Sequence, residues 1–268
     1  MSIVTISRGS YSRGKEVAEK LASALNYECL SRDILLEASE QFNIPEIKLI
    51  RAIHDAPSIL DRFTYGKERY IAFFRAALLK HLQKDNVVFH GLAGHFFLQK
   101  IPHALKVRIF ADMEDRVKEE MKREHISAEQ ARLVLAKDDA ERRKWGLSLY
   151  GLDTWDHRLY DLTIHIDTLT TDDAVSMILH ALQRPALRTT PQSQRLLDDL
   201  ALAAQVEAAL IQDFPKVTAE ARNGEVVVSI RASLVDEKPI SSKVKQIVKN
   251  IDGVRKILIN IVPHIIQM

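Results

Sequence analysis

The chain has a single cysteine, Cys29, in 268 residues, which excludes an internal disulfide and suits a reducing compartment. It has little excess charge. Its 38 Lys and Arg against 36 Asp and Glu leave a formal +2, too little to imply nucleic acid or an anionic membrane as a partner. No apolar run nears the roughly 18 residues that a bilayer span needs. The N-terminus has no basic region followed by an apolar stretch, so a cytoplasmic protein is expected. What remains is 46% hydrophobic and 28% charged, the balance of a soluble globular protein with a proper core. The length allows one large domain or two ordinary ones.

Short apolar runs alternate with helical periodicity over the first two thirds. Residues 2–7 read as a buried strand, and Val17, Ala18, Leu21, Ala22 and Leu25 place a helix over 13–25. Helical patterns follow at 32–42, 45–54 and 61–83, the last with Tyr70, Phe73 and Phe74 on one side as core packing. Strands are expected at 86–91, 105–111 and 160–167. The charged segment 113–145 reads as two helices broken near 125–127, with Ser127 as the second N-cap, and a closing helix covers 171–183. Such alternation predicts an α/β fold with a mostly parallel sheet covered on both faces.

The pattern breaks at RPALRTTPQSQ, read as a linker. A helix (196–212), two strands (217–221 and 225–234) around an Asn223-Gly224 turn, a helix (239–250) and a strand (254–262) then predict a small α+β domain. The expected organisation is residues 1–184, a linker at 185–194, and residues 195–268.

Chemistry concentrates in SRGSYSRGKEVAEKLASAL, from Ser7 to Leu25. From Gly9 it runs one residue short of G-x-x-x-x-G-K-[ST], with Glu16 in place of the hydroxyl. A strand feeding a turn and a helix gathers free N–H groups and the positive helix end at one point, where an anion is favoured. Gly14 allows close backbone approach, and Lys15 can reach a phosphate as a point charge. Against equivalence stand Glu16, Tyr11 and Arg13, the last two bulky where such cradles are glycine-rich. On this stretch alone, an ordinary strand-to-helix turn remains open.

Further segments bear on that choice. ISRGSYSRGKEVAEKLASALNYECLSRDIL resembles the start of the cytidylate-kinase-like family, whose loop reads roughly S-R-x-x-G-S-G-G-R-E-I-A. Ser7, Arg8, Ser12, Gly14 and Glu16 match, Lys15 replaces an arginine, and Tyr11 and Arg13 replace glycines. VRIFADMEDRVKEEMKREHISAEQARLVLAKDDAERRKW and WDHRLYDLTIHIDTL continue the likeness, which covers about the first 185 residues.

The resemblance implies a P-loop kinase-type three-layer α/β/α fold. ATP with Mg²⁺ would sit on Arg8, Gly9, Ser12, Arg13, Gly14, Lys15 and Glu16, and a nucleoside monophosphate such as CMP at Arg32 and Asp33. Lys15, Arg142 and Arg143 would do the catalytic work, with Asp139 orienting Arg142 from the same helical side. The plain alternatives are a solvated helix face for residues 138–144 and a dipole-complementing helix start for Arg32 and Asp33. No metal site is expected in the protein itself: His90 and His95 lack a third partner. Cys29 follows an expected helix end and has no paired base nearby. Trp145 and Trp155, with Gly146 and Gly151, read as the edge of a mobile lid.

From about residue 196 to 263 the chain resembles the BON domain family, through VTAEARNGEVVVSIRASL, ISSKVKQIVKNIDGV and RKILINIVP. That likeness implies a small ligand-binding or protein-contact module, and a homo-oligomer is compatible with it. Lys243, Lys245 and Lys249 read as a solvated helix face.

One departure sets up a test. The family carries G-R-x-A after the strand equivalent to VVFHG, with the arginine on the acceptor phosphate, whereas this chain has Leu92. A latent kinase should gain CMP turnover on Leu92→Arg in a coupled ADP-release assay, whereas a nucleotide-sensing pseudo-kinase acting through its C-terminal module should not.

Overall fold

The computed structural model describes residues 2–9, 12–31, 34, 65–91 and 93–263. Tyr11, Arg32, Asp33 and Leu92, and the helices expected over 32–42 and 45–54, lie outside the described residues. The described residues fall into two compact units, one within 1–33 and 84–190, the other within 34–83 and 191–268.

The first unit is built on five parallel strands in the order β2-β3-β1-β4-β5. They are β1 (Ile3–Arg8), β2 (Glu28–Leu30), β3 (Val87–His90), β4 (Ala104–Ala111) and β5 (Leu162–Ile166). β1 pairs with both β3 and β4, so its residues are buried on both faces, which is why its apolar run does not alternate. Val4 and Ile6 of β1, with Leu105, Val107 and Ile109 of β4 and Ile164 and Ile166 of β5, form one core face. Against them pack Val17, Ala18 and Leu21 of helix α1 (Gly14–Leu25) and Ala174, Val175 and Ile178 of a later helix (Thr171–Leu182). The loop after β1 leaves the carboxyl end of the central strand, where strand order reverses and open α/β sheets bind ligands.

The opposite face is more polar. Thr5, Ser7, Lys106 and Arg108 are on the other parity of β1 and β4, and the first three are buried. A short helix, Gly94–Phe97, sits beyond β3; its four residues are too few to carry a periodic signal. Its Gly94 is required by closeness, since a Cβ there would lie 2.4 Å from Cδ1 of the buried Phe89 ring.

Between β4 and β5 come the two charged helices, Met113–Glu124 and Ala128–Trp145. The break falls where expected: Ser127 accepts from the Gln130 N–H at 3.2 Å and Gln130 returns the bond at 3.0 Å, a reciprocal N-terminal cap. The second helix widens into one π turn, Gly146–Tyr150. A Cβ on Gly146 would meet the Leu152 carbonyl at 2.7 Å, so this glycine is required by close packing.

In the second unit, Gly66–Leu82 packs on a long helix, Pro191–Leu210, and its Tyr70, Phe73 and Phe74 are buried. The long helix starts at Pro191, ahead of the expected residue 196, because proline fits a helix's first position. A three-stranded sheet follows in the order β6 (Thr218–Arg222), β7 (Glu225–Arg231), β8 (Lys256–Val262), with helix Glu237–Val248 before β8. β6 and β7 are antiparallel, joined at Asn223 (φ 51°) and Gly224 (φ 80°), the positive-φ pair the Asn-Gly dipeptide predicts. β7 and β8 run parallel. Cys29 follows the end of α1, as expected, and lies in β2, a strand too short to announce itself. Among the described residues no helix is long and apolar enough to cross a membrane.

Gly94→Ala is expected to destabilise the chain by about 1–3 kcal/mol, read from urea midpoints, because the ring below it cannot yield without displacing core neighbours.

Candidate functional site

Helix α1 begins at a residue in left-handed conformation, Arg13 (φ 62°, ψ 7°), whose side chain makes no capping hydrogen bond. Among the described residues no side chain takes its first-turn amides, and the positive helix end there favours an acceptor. Ser12, just before, is fully buried. Its hydroxyl lies 3.1 Å from the carbonyls of Gly9 and of Ile109 on β4, which pins the loop to the neighbouring strand. The side chain expected to address a nucleotide thus holds the loop in place and leaves only its backbone N–H for a ligand. Gly14 is required by geometry: a Cβ would stand 2.7 Å from Cβ of Arg8, whose side chain crosses the start of the helix.

The charged loop residues face different ways. Glu16 is turned to the far helix, where the Thr171 hydroxyl donates to it at 2.8 Å and Lys20 pairs with it at 3.0 Å, Lys20 also reaching Asp172 at 2.8 Å. Burial pushes the Glu16 carboxyl up, but the Lys20 and Thr171 hydrogen bonds outweigh it and leave the carboxyl below its ordinary value. Lys15 is exposed, 3.6 Å from Glu19, and Arg13 lies 3.5 Å from Glu119 of the first charged helix. Each of these contacts is solvated and weak, so a phosphate can displace it.

The charged helices reach the loop from above. A Cβ on Gly9 would sit 3.7 Å from Asp139 Oδ1 and 3.9 Å from Arg116 Cζ. Arg116 and Asp139 themselves form a largely buried ion pair at 2.8 Å. Asp139, expected to orient Arg142, therefore has a partner on the other charged helix that sequence reasoning missed. Asp139 also lines a cavity of about 730 Å³ with Met113, Ala136, Arg143, Leu147 and Trp155. The structure thus brings together Gly9, Asp139 and Arg143. Arg142 is half-buried on the same helix.

Arg143 is gripped by Asp153, with contacts of 2.6 to 3.1 Å to both carboxylate oxygens, and its guanidinium lies 5.0 Å from the Trp155 ring centroid. The Arg143 guanidinium, then the Trp155 N–H, hold the Asp153 carboxyl below its ordinary value. Asp153 was not singled out in the sequence; a lone carboxylate in LDTW gives no pattern.

A second missed set lies beneath β1. The Tyr160 hydroxyl is 2.9 Å from the Thr154 carbonyl, 3.2 Å from Ser7 Oγ and 3.2 Å from His95 Nε2. Arg108 also donates to the Thr154 carbonyl and stands over the Tyr160 ring. An arginine inside the apolar strand LKVRIFA was the available signal. Burial, then the charges of Arg108 and Lys106, pushes His95 down to about 3. Among the described residues no cluster of three or more metal-ligating side chains occurs.

The Cytidylate kinase-like family matches residues 3–168. The chain belongs to this family. It is 26% identical over 174 residues to the cytidylate kinase of Sulfolobus acidocaldarius, covering 65% of this chain and 90% of that one. It is 36% identical over 80 residues to the cytidylate kinase of Thermococcus kodakarensis, 30% of this chain and 40% of that relative's length. Among solved structures, an uncharacterised protein from Eubacterium ventriosum superposes with a TM-score of 0.54 at 22% identity, covering 69% of this chain and 100% of that chain. At that identity the likeness is one of fold. In this cytidylate kinase-like chain, Glu16 belongs to the helix contact rather than to the phosphate side of the loop.

Because His95 stays neutral when folded but takes a proton near pH 6.5 when unfolded, stability is expected to fall as pH drops from about 6.5 towards 3. His95→Gln should flatten that dependence, as measured by urea unfolding at pH 7 and pH 4.5.

Proposed function

We propose that the chain is an ATP-dependent nucleoside monophosphate kinase acting on CMP or a similar acceptor in a reducing cytoplasm. The observation that carries this reading is the uncapped start of α1 behind Arg13, pinned by Ser12 and overhung by a cation-bearing helix pair. Membership of the family supports it.

Phosphoryl transfer asks mainly for alignment and for cations around the moving charge. The backbone N–H groups from Arg13 to Glu16 would take the ATP phosphates, with Lys15 and Arg13 exchanging Glu19 and Glu119 for phosphate oxygens. Gly9, lying under Asp139, would set how closely the helix pair can approach the nucleotide. Arg143 would leave Asp153 for the transferring phosphoryl group, with Arg142 beside it. Arg8 crosses Gly14 and stiffens the loop. Arg32 and Asp33 remain the assigned acceptor residues. The donor set suits a nucleotide and not a lone metal ion: amides and cations surround the loop, so Mg²⁺ would arrive on the phosphates and shield their charge.

A second reading, nucleotide sensing without turnover, is favoured by one observation: Arg13, Lys15 and Arg143 each rest against a carboxylate. In either case the C-terminal unit, whose helix and strand order supports a BON-like module, would bind a small ligand or a protein and regulate or localise the first.

Calorimetry with Mg-ATP and CMP separates these. Saturable Mg-ATP binding, strengthened by CMP and followed by ADP release, is the expected result. Lys15→Ala should weaken Mg-ATP about ten- to hundredfold, the loss of one charge-assisted contact. Unchanged affinity in that variant would remove the loop from the site, and binding without a CMP effect or turnover would leave the sensor.

A further inference from the structure

The two edges of the C-terminal sheet are treated differently. On the β6 side the strand is five residues long, with Thr218, Glu220 and Arg222 exposed, so charge guards it. Its Ala219 N–H is taken at 2.9 Å by Glu207 of the long helix, a carboxylate itself held by Arg75 at 2.6 Å. That edge is closed to further pairing in the ways sheet proteins use, by charge and by cover.

Among the described residues, the β8 edge has neither protection. KILINIV is seven residues long, registers without a bulge on all seven residues of β7, and carries no charge after Lys256. No described strand pairs with its other side. Its inward residues are also left partly open. Val226, Val228 and Ile230 of β7 are 0%, 0% and 4% exposed, whereas their neighbours Ile257, Ile259 and Ile261 are only half-buried. A row of isoleucines therefore ends beside a row of backbone groups that no described strand pairs.

We propose that β8 is a homodimerisation edge, two copies pairing antiparallel about a two-fold axis through Ile259 and joining their three-stranded sheets into one. The sequence of the strand fits a second copy in particular. The two-fold must stand perpendicular to the sheet, because only then do the isoleucines of both copies fall on the same face. It sets Ile257 opposite Ile261 of the other copy and Leu258 opposite Asn260. Lys256, already bound to Glu225 at 3.2 Å, falls opposite Val262, so no like charges meet. Parallel self-pairing would put Lys256 beside Lys256 and the isoleucines on opposite faces. The proposal is independent of the kinase reading.

Sedimentation of the full chain from low micromolar concentration upward tests it, with a concentration-dependent dimer expected. Leu258 and Asn260 point to solvent, Leu258 being 47% exposed, so exchanging them leaves the core intact. The double variant L258K/N260K sets like charges directly opposite one another twice and should weaken the dimer about tenfold or more. L258E/N260K sets opposite charges there and should keep it. A wild-type chain that stays monomeric, or a dimer indifferent to both pairs of substitutions, overturns the proposal. Hydrogen exchange of wild-type β8 amides gives a reading free of mutation: exchange that slows as concentration rises supports the pairing, and exchange that does not change refutes it.

Discussion

The loop between β1 and α1 depends on one buried hydroxyl. Ser12 lies against carbonyls of the loop and of β4, and through β4 the loop takes its position from the middle of the sheet. Without that link, the start of α1 would be fixed only by its own packing on the core. With it, the uncapped amides, the Gly14 crossing and the overhanging Asp139 all refer to one rigid strand. Buried hydrogen bonds of this kind act less through net energy than through the penalty of leaving them unmade.

Around this fixed point the charges are paired on a graded scale of exposure. Arg116 and Asp139 are enclosed, and a pair so buried stays together because either partner alone would be costly. Arg143 with Asp153, and Arg13 with Glu119, are open to water and can trade partners at little cost. The helix pair is therefore held by a buried ion pair near the loop and carries solvent-exposed ion pairs at its rim. That division would suit the proposed nucleotide site, which must admit and release a highly charged ligand. Glu16 illustrates the same logic in reverse: its charge is taken up by Lys20 and Thr171, away from where phosphates would sit.

Features written in local sequence were legible. The apolar strands, the Ser127 cap, the Asn-Gly hairpin and the parallel sheet follow from periodicity and turn chemistry. Short elements were not, since Glu28–Leu30 and Gly94–Phe97 are below the length at which a period can be read. Nor were side-chain partners distant along the chain. Asp153 becomes meaningful only when Arg143 folds onto it, and Tyr160 only when β5 brings it under Ser7 and beside His95. The strand-turn-helix order around Gly14 was legible, but the direction of Ser12 and Glu16 was not, because direction is set by β4 and by the helix at Thr171.

Arg13 has a further consequence. An arginine in the left-handed region stores about 1–2 kcal/mol that glycine would not. Such a conformation persists only where the surroundings over-determine it, so the helix end of the loop is already shaped before any ligand arrives. A ligand then meets a site whose ordering entropy was spent during folding, and more of its interaction energy is left to appear as affinity.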